Sequence, residues 1–280
     1  MKNKIIDLHI HTTASDGSFT REEILEGYYR QGFKVISITD HDTVDAYVGA
    51  EGDYYHDMRV IVGSEISCRF ANHEVHILGY DIDYQNPKLL ALLTSIKHSR
   101  VIRAKKMVSI LNTNNVDISY AEVQGLIGSD NVVGRPHIAQ AVVNKGYFTH
   151  PQQVFNKYIG DNGIAYVPKL EVTPKEVIDT IHQAGGFAVM AHPIKSVNYA
   201  DIPYFKSLGL DGIEVYYYDH TPAQIKRYED ICRDLNLIKT TGSDFHGSLK
   251  KQKIGVFTGP ELVIDEMNKL LKKKIEVSNG

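Results

Sequence analysis

The feature that most constrains this chain is a series of short histidine and carboxylate clusters, each on or just after a stretch that reads as a β-strand. Asp7-Leu8-His9-Ile10-His11 overlaps the β-rich run Ile5–Ile10, and Asp16 follows in a glycine-containing loop, Ser15-Asp16-Gly17. Thr39-Asp40-His41-Asp42 ends the alternating segment Lys34–Thr39, and Gly63-Ser64-Glu65 ends the run from Arg59. His73-Glu74-Val75-His76 leads into the strand-like run ending at Tyr80. Ala191-His192-Pro193 ends Phe187–Ala191, and Gly242-Ser243-Asp244-Phe245-His246 follows Lys239–Thr241. Side chains two apart on a strand point to one side. His9 and His11 can therefore act together, as can Asp244 and His246. Clusters so distant in sequence serve one site only if the strand ends meet on one rim, and α/β barrels collect functional residues at the carboxyl ends of their strands.

The segments between the clusters fit such a fold. Thr20 to Arg30 reads as a helix whose start carries a Thr20/Glu23 capping box. Thr173-Pro174-Lys175-Glu176 and Thr221-Pro222-Ala223-Gln224 open two more helices, and a last helix is expected over about 260–273. Strands alternating with helices through short loops predict a parallel sheet. Between Asn86 and residue 160 no strand-like run occurs. A long helical pattern fills 88–112 after Pro87, and further helices are expected at about 119–127, 136–145 and 151–159. The expected organisation is a barrel domain of residues 1–81 plus 164–280, with residues 82–163 as an all-helical insertion that caps it.

Composition narrows the function by exclusion. The net charge of −3 offers no electrostatic case for broad nucleic-acid binding. Two cysteines cannot build a disulfide framework and suit a reducing cytosol. No apolar run approaches the roughly 20 residues of a membrane span, and the apolar stretch before Asp7 is too short for a signal-peptide core. The expectation is a cytoplasmic protein without a membrane or an obligate protein partner. Thirteen histidines, many beside carboxylates, point instead to metal ligation.

Taken in order, H-x-H, T-D-H-D, a strand-end glutamate, A-H-P and G-S-D-F-H resemble the motifs of the PHP (polymerase and histidinol phosphatase) superfamily over residues 5–81 and about 164–256. The helical insertion and Gly134-Arg135-Pro136-His137 resemble its nucleotide-directed phosphoesterases, as does Asp16 where many members have histidine. The resemblance implies an α/β fold, a distorted (β/α)7-type barrel, and three divalent ions. His9, His11, Glu65 and Asp244 would hold one; Glu65, His76 and His192 a second, with Glu65 bridging; Asp16, His41 and His246 a third. Mixed histidine and carboxylate ligands suit Mn, Fe or Zn. Paired ions about 3.5–4 Å apart lower the pKa of a bridging water and clamp both oxygens of an in-line displacement. A hydroxide between the first two ions is then the expected nucleophile. The implied substrates are phosphomonoesters of nucleotides, AMP or 3',5'-bisphosphates, or short 5'-phosphorylated oligonucleotides.

Arg135 can bind phosphate through two parallel bonds, which lysine cannot, and His137 can bind phosphate or protonate the leaving oxygen. Arg135, His137 and His192 are the expected catalytic residues, with Lys169 a further anion contact. The bland alternative for Arg135 and His137 is a helix N-terminus with a surface arginine. His73 is expected to face away from His76. Asp40 reads as a structural group or an outer partner of the ligands, Asp42 as a cap, and Glu214 as either a structural or a ligand-supporting acid. His56, His98, His150, His182 and His220 read as surface residues. Competing functions are a histidinol-phosphate-type metabolite phosphatase, which Asp16 and the helical insertion disfavour, and an amide or ester hydrolase, which the arginine and third metal group disfavour. A regulatory metal-binding module is disfavoured because all nine ligand candidates are present.

Overall fold

The structure is a computed structural model that describes residues 5–50, 53–71, 73–126, 133–160, 162–168, 172–250 and 252–272. Its first half contains β1 (Ile6–Ile10), α1 (Arg21–Arg30), β2 (Val35–Ile38), β3 (Tyr54–Tyr55), β4 (Met58–Phe70), β5 (His73–Tyr80) and α2 (Pro87–Thr113). There follow α3 (Tyr120–Gln124), α4 (Arg135–Asn144), α5 (Pro151–Val154), α6 (Pro174–Gln183) and β6 (Phe187–Met190). The last elements are α7 (Ile202–Ser207), β7 (Gly212–Tyr217), α8 (Pro222–Leu235), β8 (Ile238–Gly242) and α9 (Leu262–Met267).

The sheet runs in the order β1-β2-β4-β5-β6-β7-β8, with β3 paired to β4 outside this path. It is nearly closed: the segment after β8 bridges back to β1, with His11 N donating to Phe245 O at 2.9 Å and Phe245 N to His9 O at 3.3 Å. Inside lie Ile6, Leu8, Val35, Ile61, Leu78 and Val189. Burying an aliphatic side chain of this kind contributes roughly 1.5–3 kcal/mol. The fold is thus the expected α/β barrel with a helical insertion, and the interior packing sets the strand ends around one rim.

The expectation of a parallel sheet is corrected. β1, β2 and β4 are parallel, as are β6, β7 and β8, but β5 runs antiparallel to both β4 and β6. β4 continues to Phe70 and folds back through register pairs from Gly63↔Tyr80 to Phe70↔His73. Glu65 therefore lies mid-strand, not at a strand end. Of the polar residues in Ser64-Glu65-Ile66-Ser67, Glu65 faces the site, while Ser64 donates to Asp40 O and Thr43 O and Ser67 donates to the Asp42 carboxylate.

Helix signals in the sequence were strong where side chains satisfy the first turn. Thr20/Glu23, Thr173/Glu176 and Thr221/Gln224 all form reciprocal capping boxes. α7 has no counterpart among the expected elements, and α9 spans less than the expected final helix.

The chain divides into two compact units, Met1–Leu93 with Val172–Gly280, and Thr94–Glu171. The second contains most of α2, then α3, α4 and α5, continued by a π-turn at Phe155–Ile159, and no strand among its described residues. Its own core gathers Met107, Leu111, Val123, Ile138, Val142 and Val154.

Candidate metal centre

Glu65 is the hub. It is fully buried, and its two carboxylate oxygens face different sets of imidazoles. Oε2 lies 3.2 Å from His9 Nε2, 3.3 Å from His11 Nε2 and 3.0 Å from His41 Nδ1. Oε1 lies 2.8 Å from both His76 Nδ1 and His192 Nε2. Asp244 Oδ1 comes to 3.3 Å from His11 Nε2 and 3.7 Å from His9 Nε2. On the opposite side of His11, Asp16 reaches His246 Nε2 at 3.3 Å and His41 Nε2 at 3.9 Å. The ring centroids of His11 and His246 are 4.0 Å apart, and those of His11 and His41 4.5 Å. Strand periodicity accounts for these approaches: His9 and His11 sit two apart at the end of β1, and Asp244 and His246 two apart after β8, which bridges to β1.

The surrounding hydrogen bonds aim these rings. His9 Nδ1 is 2.9 Å from Glu214 Oε1, and the other oxygen of Glu214 accepts from His192 N at 2.7 Å. One buried acid from β7 therefore orients one ring and pins the backbone carrying another. His192 needs pinning, because its φ is 25° and a proline follows; a residue before proline is crowded away from compact conformations. Gly242 is required beside this acid, since a Cβ there would collide with the Glu214 carboxylate and with His9 Cβ. Asp40 accepts from Thr12 N at 2.7 Å, Thr12 Oγ1 at 2.7 Å and Ser15 Oγ at 2.6 Å, which holds the loop that presents Asp16. Ring orientation by an outer carboxylate or carbonyl is the usual support of a metal-ligating histidine. His246 has it too, with Nδ1 2.8 Å from Asp244 O.

Electrostatics follow from this crowding. Burial alone would protonate Glu65, but His41, His76 and His9 around it hold its carboxyl well below the ordinary carboxylate range. Burial opposes charge on His9, yet Glu214 and Glu65 raise its pKa well above the usual imidazole value. His76 is raised to about 10 by Glu65 against the opposing effect of burial. His11 goes the other way: burial and the neighbouring His246 and His41 keep it neutral. Asp7, whose carboxylate accepts from Tyr28 OH at 2.9 Å and Ser243 N at 3.0 Å, is pushed up to about 6 by burial.

The residues fit divalent cations, as their own unsatisfied atoms show. His9 Nε2, His11 Nε2, His41 Nδ1 and Glu65 Oε2 are buried side by side, and none makes a hydrogen bond of acceptable geometry. Buried polar atoms without partners are rare and call for an explanation; lone pairs converging on one point find it in a cation. Among the described residues, three groups have ligand atoms mutually within 4.8 Å: His9, His11, Glu65 and Asp244; His11, Asp16, His41 and His246; and His41, Glu65 and His76. These groups can hold metal ions. The first coincides with a quartet expected from the sequence. The second adds His11 to the expected trio. In the third, His41 joins Glu65 and His76, while His192 reaches the same carboxylate through its 2.8 Å contact.

Several other expectations meet the structure differently. Asp42 is no helix cap: its carboxylate accepts from Ser67 N at 2.7 Å and Ser67 Oγ at 3.0 Å, tying the loop of His41 to β4. Asp40 has the structural part that its sequence position allowed. His220 is buried, not on the surface, with Nδ1 2.9 Å from Val215 O and its ring stacked on Tyr228. His150 caps α5, and His182 pairs with Asp211 at 2.7 Å. His73 is exposed, in line with its facing away from His76. Lys195 and Tyr217 were not anticipated: Lys195 Nζ and Tyr217 OH each lie 3.0 Å from Asp244 Oδ2. Neither carries a local motif, since both are brought to Asp244 by the pairing of β6, β7 and β8.

Within the helical unit, Arg135 is the first residue of α4. Its guanidinium donates to Ile159 O at 3.3 Å and lies 5.8 Å from the ring centroids of both Phe155 and Tyr166. With Arg100 and Arg103 it lines a cavity of about 260 Å³. His137 Nδ1 accepts from Gly134 N at 3.0 Å, so one ring nitrogen serves as the helix cap. Lys169 lies outside the described residues. No helix among the described residues is long and apolar enough to cross a membrane.

Comparison with known proteins places this geometry among phosphate-ester enzymes. The chain is 33% identical to a 5'-3' exoribonuclease of Haemophilus influenzae over 87% of its own length and 90% of that protein. It is 28% identical to a 3',5'-nucleoside bisphosphate phosphatase of Chromobacterium violaceum, over 86% of the chain and 87% of the relative. A crystal structure from Bifidobacterium adolescentis, described as a metal-dependent phosphoesterase, superposes with a TM-score of 0.77 at 26% identity, covering 96% of this chain and 97% of the other. No family model matches the chain.

Proposed function

The chain belongs to the PHP superfamily of metal-dependent phosphoesterases, in its nucleotide-phosphatase branch, and from that premise we propose that it hydrolyses phosphomonoesters of nucleotides, such as AMP or 3',5'-bisphosphates, or of short 5'-phosphorylated oligonucleotides. The observation that carries this reading is the single carboxylate of Glu65, with one oxygen toward His9, His11 and His41 and the other toward His76 and His192. A carboxylate so placed suits a bridge between neighbouring cations, and phosphate hydrolysis is a reaction that gains from paired cations. The relatives' names, a 5'-3' exoribonuclease and a 3',5'-bisphosphate phosphatase, support nucleotides as the class.

In this reading three divalent ions, Mn, Fe or Zn, are held by nine residues: His9, His11, Asp16, His41, Glu65, His76, His192, Asp244 and His246. When bound, such ions polarise the phosphoryl oxygens and lower the pKa of water. The chain's own groups do the rest. Glu214 stands to accept a hydrogen bond from Nδ1–H of His9, so that Nε2 is the atom left to ligate once a metal has displaced its proton. Burial of Glu65 and Asp244 keeps water from screening the charges in the site. In the helical unit, the fork of Arg135 matches two phosphate oxygens, and Lys169 is a further anion contact. With Nδ1 of His137 engaged as a cap, its Nε2 is the ring atom that would protonate a leaving oxygen.

The test is phosphate release from a panel of AMP, 3',5'-bisphosphoadenosine, a 5'-phosphorylated RNA trimer, histidinol phosphate and a carboxylic ester, with Mn²⁺ and with Asp244→Ala as control. Nucleotide turnover abolished by Asp244→Ala is the expected outcome. Turnover of histidinol phosphate alone would overturn the substrate class, and hydrolysis of the ester alone would overturn the phosphoesterase reading.

A further inference from the structure

A cavity of about 550 Å³ opens in the barrel unit beside Asp244, lined among others by Lys195, Tyr217, Tyr218, Asp219, Phe257 and Asp244 itself. Its size falls within the roughly 300–1,000 Å³ of small-molecule sites. Two kinds of surface meet in it. At the end shared with the metal centre, Lys195 Nζ and Tyr217 OH both touch Asp244 Oδ2, and the ammonium sits 4.8 Å from the centroid of the Tyr217 ring. At the other end the wall is aromatic. Tyr218 is 53% exposed and meets Phe257 edge to face, with centroids 6.2 Å apart. The backbone of Tyr218 donates to Gly242 O at 3.3 Å, and its half-exposed ring rests against Phe257.

We propose that this cavity takes the nucleoside part of the substrate: the base stacks on Tyr218 next to Phe257, and Lys195 stands where the anionic phosphate gives way to the neutral nucleoside. The inference rests on the phosphoesterase reading above and names the part of the barrel that selects a nucleotide over other phosphomonoesters. Stacking on an aromatic ring suits every base, so the pocket would favour nucleotides as a class without choosing among them. An ammonium already turned toward a carboxylate of the metal centre can turn toward a phosphate oxygen with little side-chain movement.

The chain contains no tryptophan, so Tyr218→Trp places its one tryptophan on the proposed platform, where its emission can be read apart from that of the tyrosines. Adenosine added to the metal-loaded variant should quench its emission saturably, and ribose should not. Adding Phe257→Ala should weaken the adenosine midpoint by about 5- to 150-fold, the usual worth of one stacked ring. In steady state, Tyr218→Ala should raise KM for AMP by a factor in the same range and leave kcat/KM for ribose 5-phosphate within about twofold, while Tyr218→Phe should match the unsubstituted protein. Emission that ignores adenosine, an equal response to ribose, or equal losses on AMP and ribose 5-phosphate would each overturn the pocket. Quenching is read without turnover, so it separates the two readings: absence of phosphate release from every phosphate in the panel would sink the phosphoesterase and leave the pocket to be judged by the fluorophore.

Discussion

The barrel unit and the helical unit satisfy their polar side chains in opposite ways. Among the described residues of the helical unit, several polar groups are satisfied within a turn of where they stand: Ser119 and Glu122 cap α3, His137 caps α4 and His150 caps α5. Lys145 pairs with Glu122 across an exposed surface at 2.8 Å. In the barrel unit the polar groups come from at least five strand ends or strands, and they leave His9 Nε2, His11 Nε2, His41 Nδ1 and Glu65 Oε2 buried without a hydrogen bond. A self-satisfied unit can be altered one residue at a time. A centre whose lone pairs converge on a common cation cannot, and this contrast sets the sizes of the effects expected from substitution.

The largest is expected at Glu65. Glu65→Gln removes the charge that faces five imidazoles, and with it the shared ligand. Metal content measured on the purified protein should fall by more than one ion per chain. Activity should drop about 10³-fold or more, since cation stabilisation of a phosphoryl transition state is worth several kcal/mol. Retention of full metal content would break the view of Glu65 as a bridge.

Next comes pH. His76 has its pKa raised to about 10, chiefly because Glu65 outweighs the opposing effect of burial. In metal-free protein a raised histidine pKa contributes stability that is complete below about pH 6.5 and is lost as pH rises through about 10. Metal ligation needs the neutral imidazole. Raising pH from 7 to 10 should therefore lower the melting temperature of the metal-free form and tighten metal binding, by up to about tenfold per pH unit for each proton displaced. Scanning calorimetry beside a metal titration at each pH tests both signs; parallel trends would refute the competition.

Glu214 should come third. It holds the His9 ring and the His192 backbone without facing the convergent lone pairs. Glu214→Gln should cost about 10- to 100-fold in metal affinity or activity, the range for a group that orients a ligand, while Glu214→Ala should cost more by also freeing His192. Equal losses in the two variants would mean that the pinned backbone of His192 contributes nothing.

How far the site was legible in sequence follows the same division. Clusters on strand ends with two-residue spacing could be read because period-two geometry makes them act in pairs, and His9 with His11 and Asp244 with His246 are indeed brought together. Glu65 was identifiable but its mid-strand place was not, since the polar alternation of Ser64 to Ser67 imitates a loop. Glu214 was visible as a lone acid in an apolar strand, yet only the closed sheet shows that it serves two histidines. Lys195 and Tyr217 left no trace, because the contacts that bring them to Asp244 are tertiary. In the helical unit the caps were readable and the packing was not: the placement of Arg135 near Phe155 and Tyr166 depends on how α4 packs against the π-turn and the irregular segment that follows it.

Two smaller effects sharpen the comparison from the helical side. Arg135→Lys keeps the charge and loses the two-pronged fork, so kcat/KM on nucleotides should fall about tenfold, with metal content unchanged. A drop in metal content would show that Arg135 does more than bind phosphate. The smallest effect belongs to the exposed pair Glu122 and Lys145. Lys145 and the Ser119 cap lower the Glu122 carboxyl to about 2. A depressed carboxylate pKa contributes stability above the unfolded value of about 4.5 that is lost as pH falls through about 2. Glu122→Gln should therefore lower the melting temperature at pH 7 by a degree or so, in keeping with the modest worth of surface pairs, and by progressively less as the pH falls toward 2. Because the loss is confined to a local cap, metal content and phosphate release should stay as they were. A fall in either would mean that the order of this helical surface reaches the barrel centre after all.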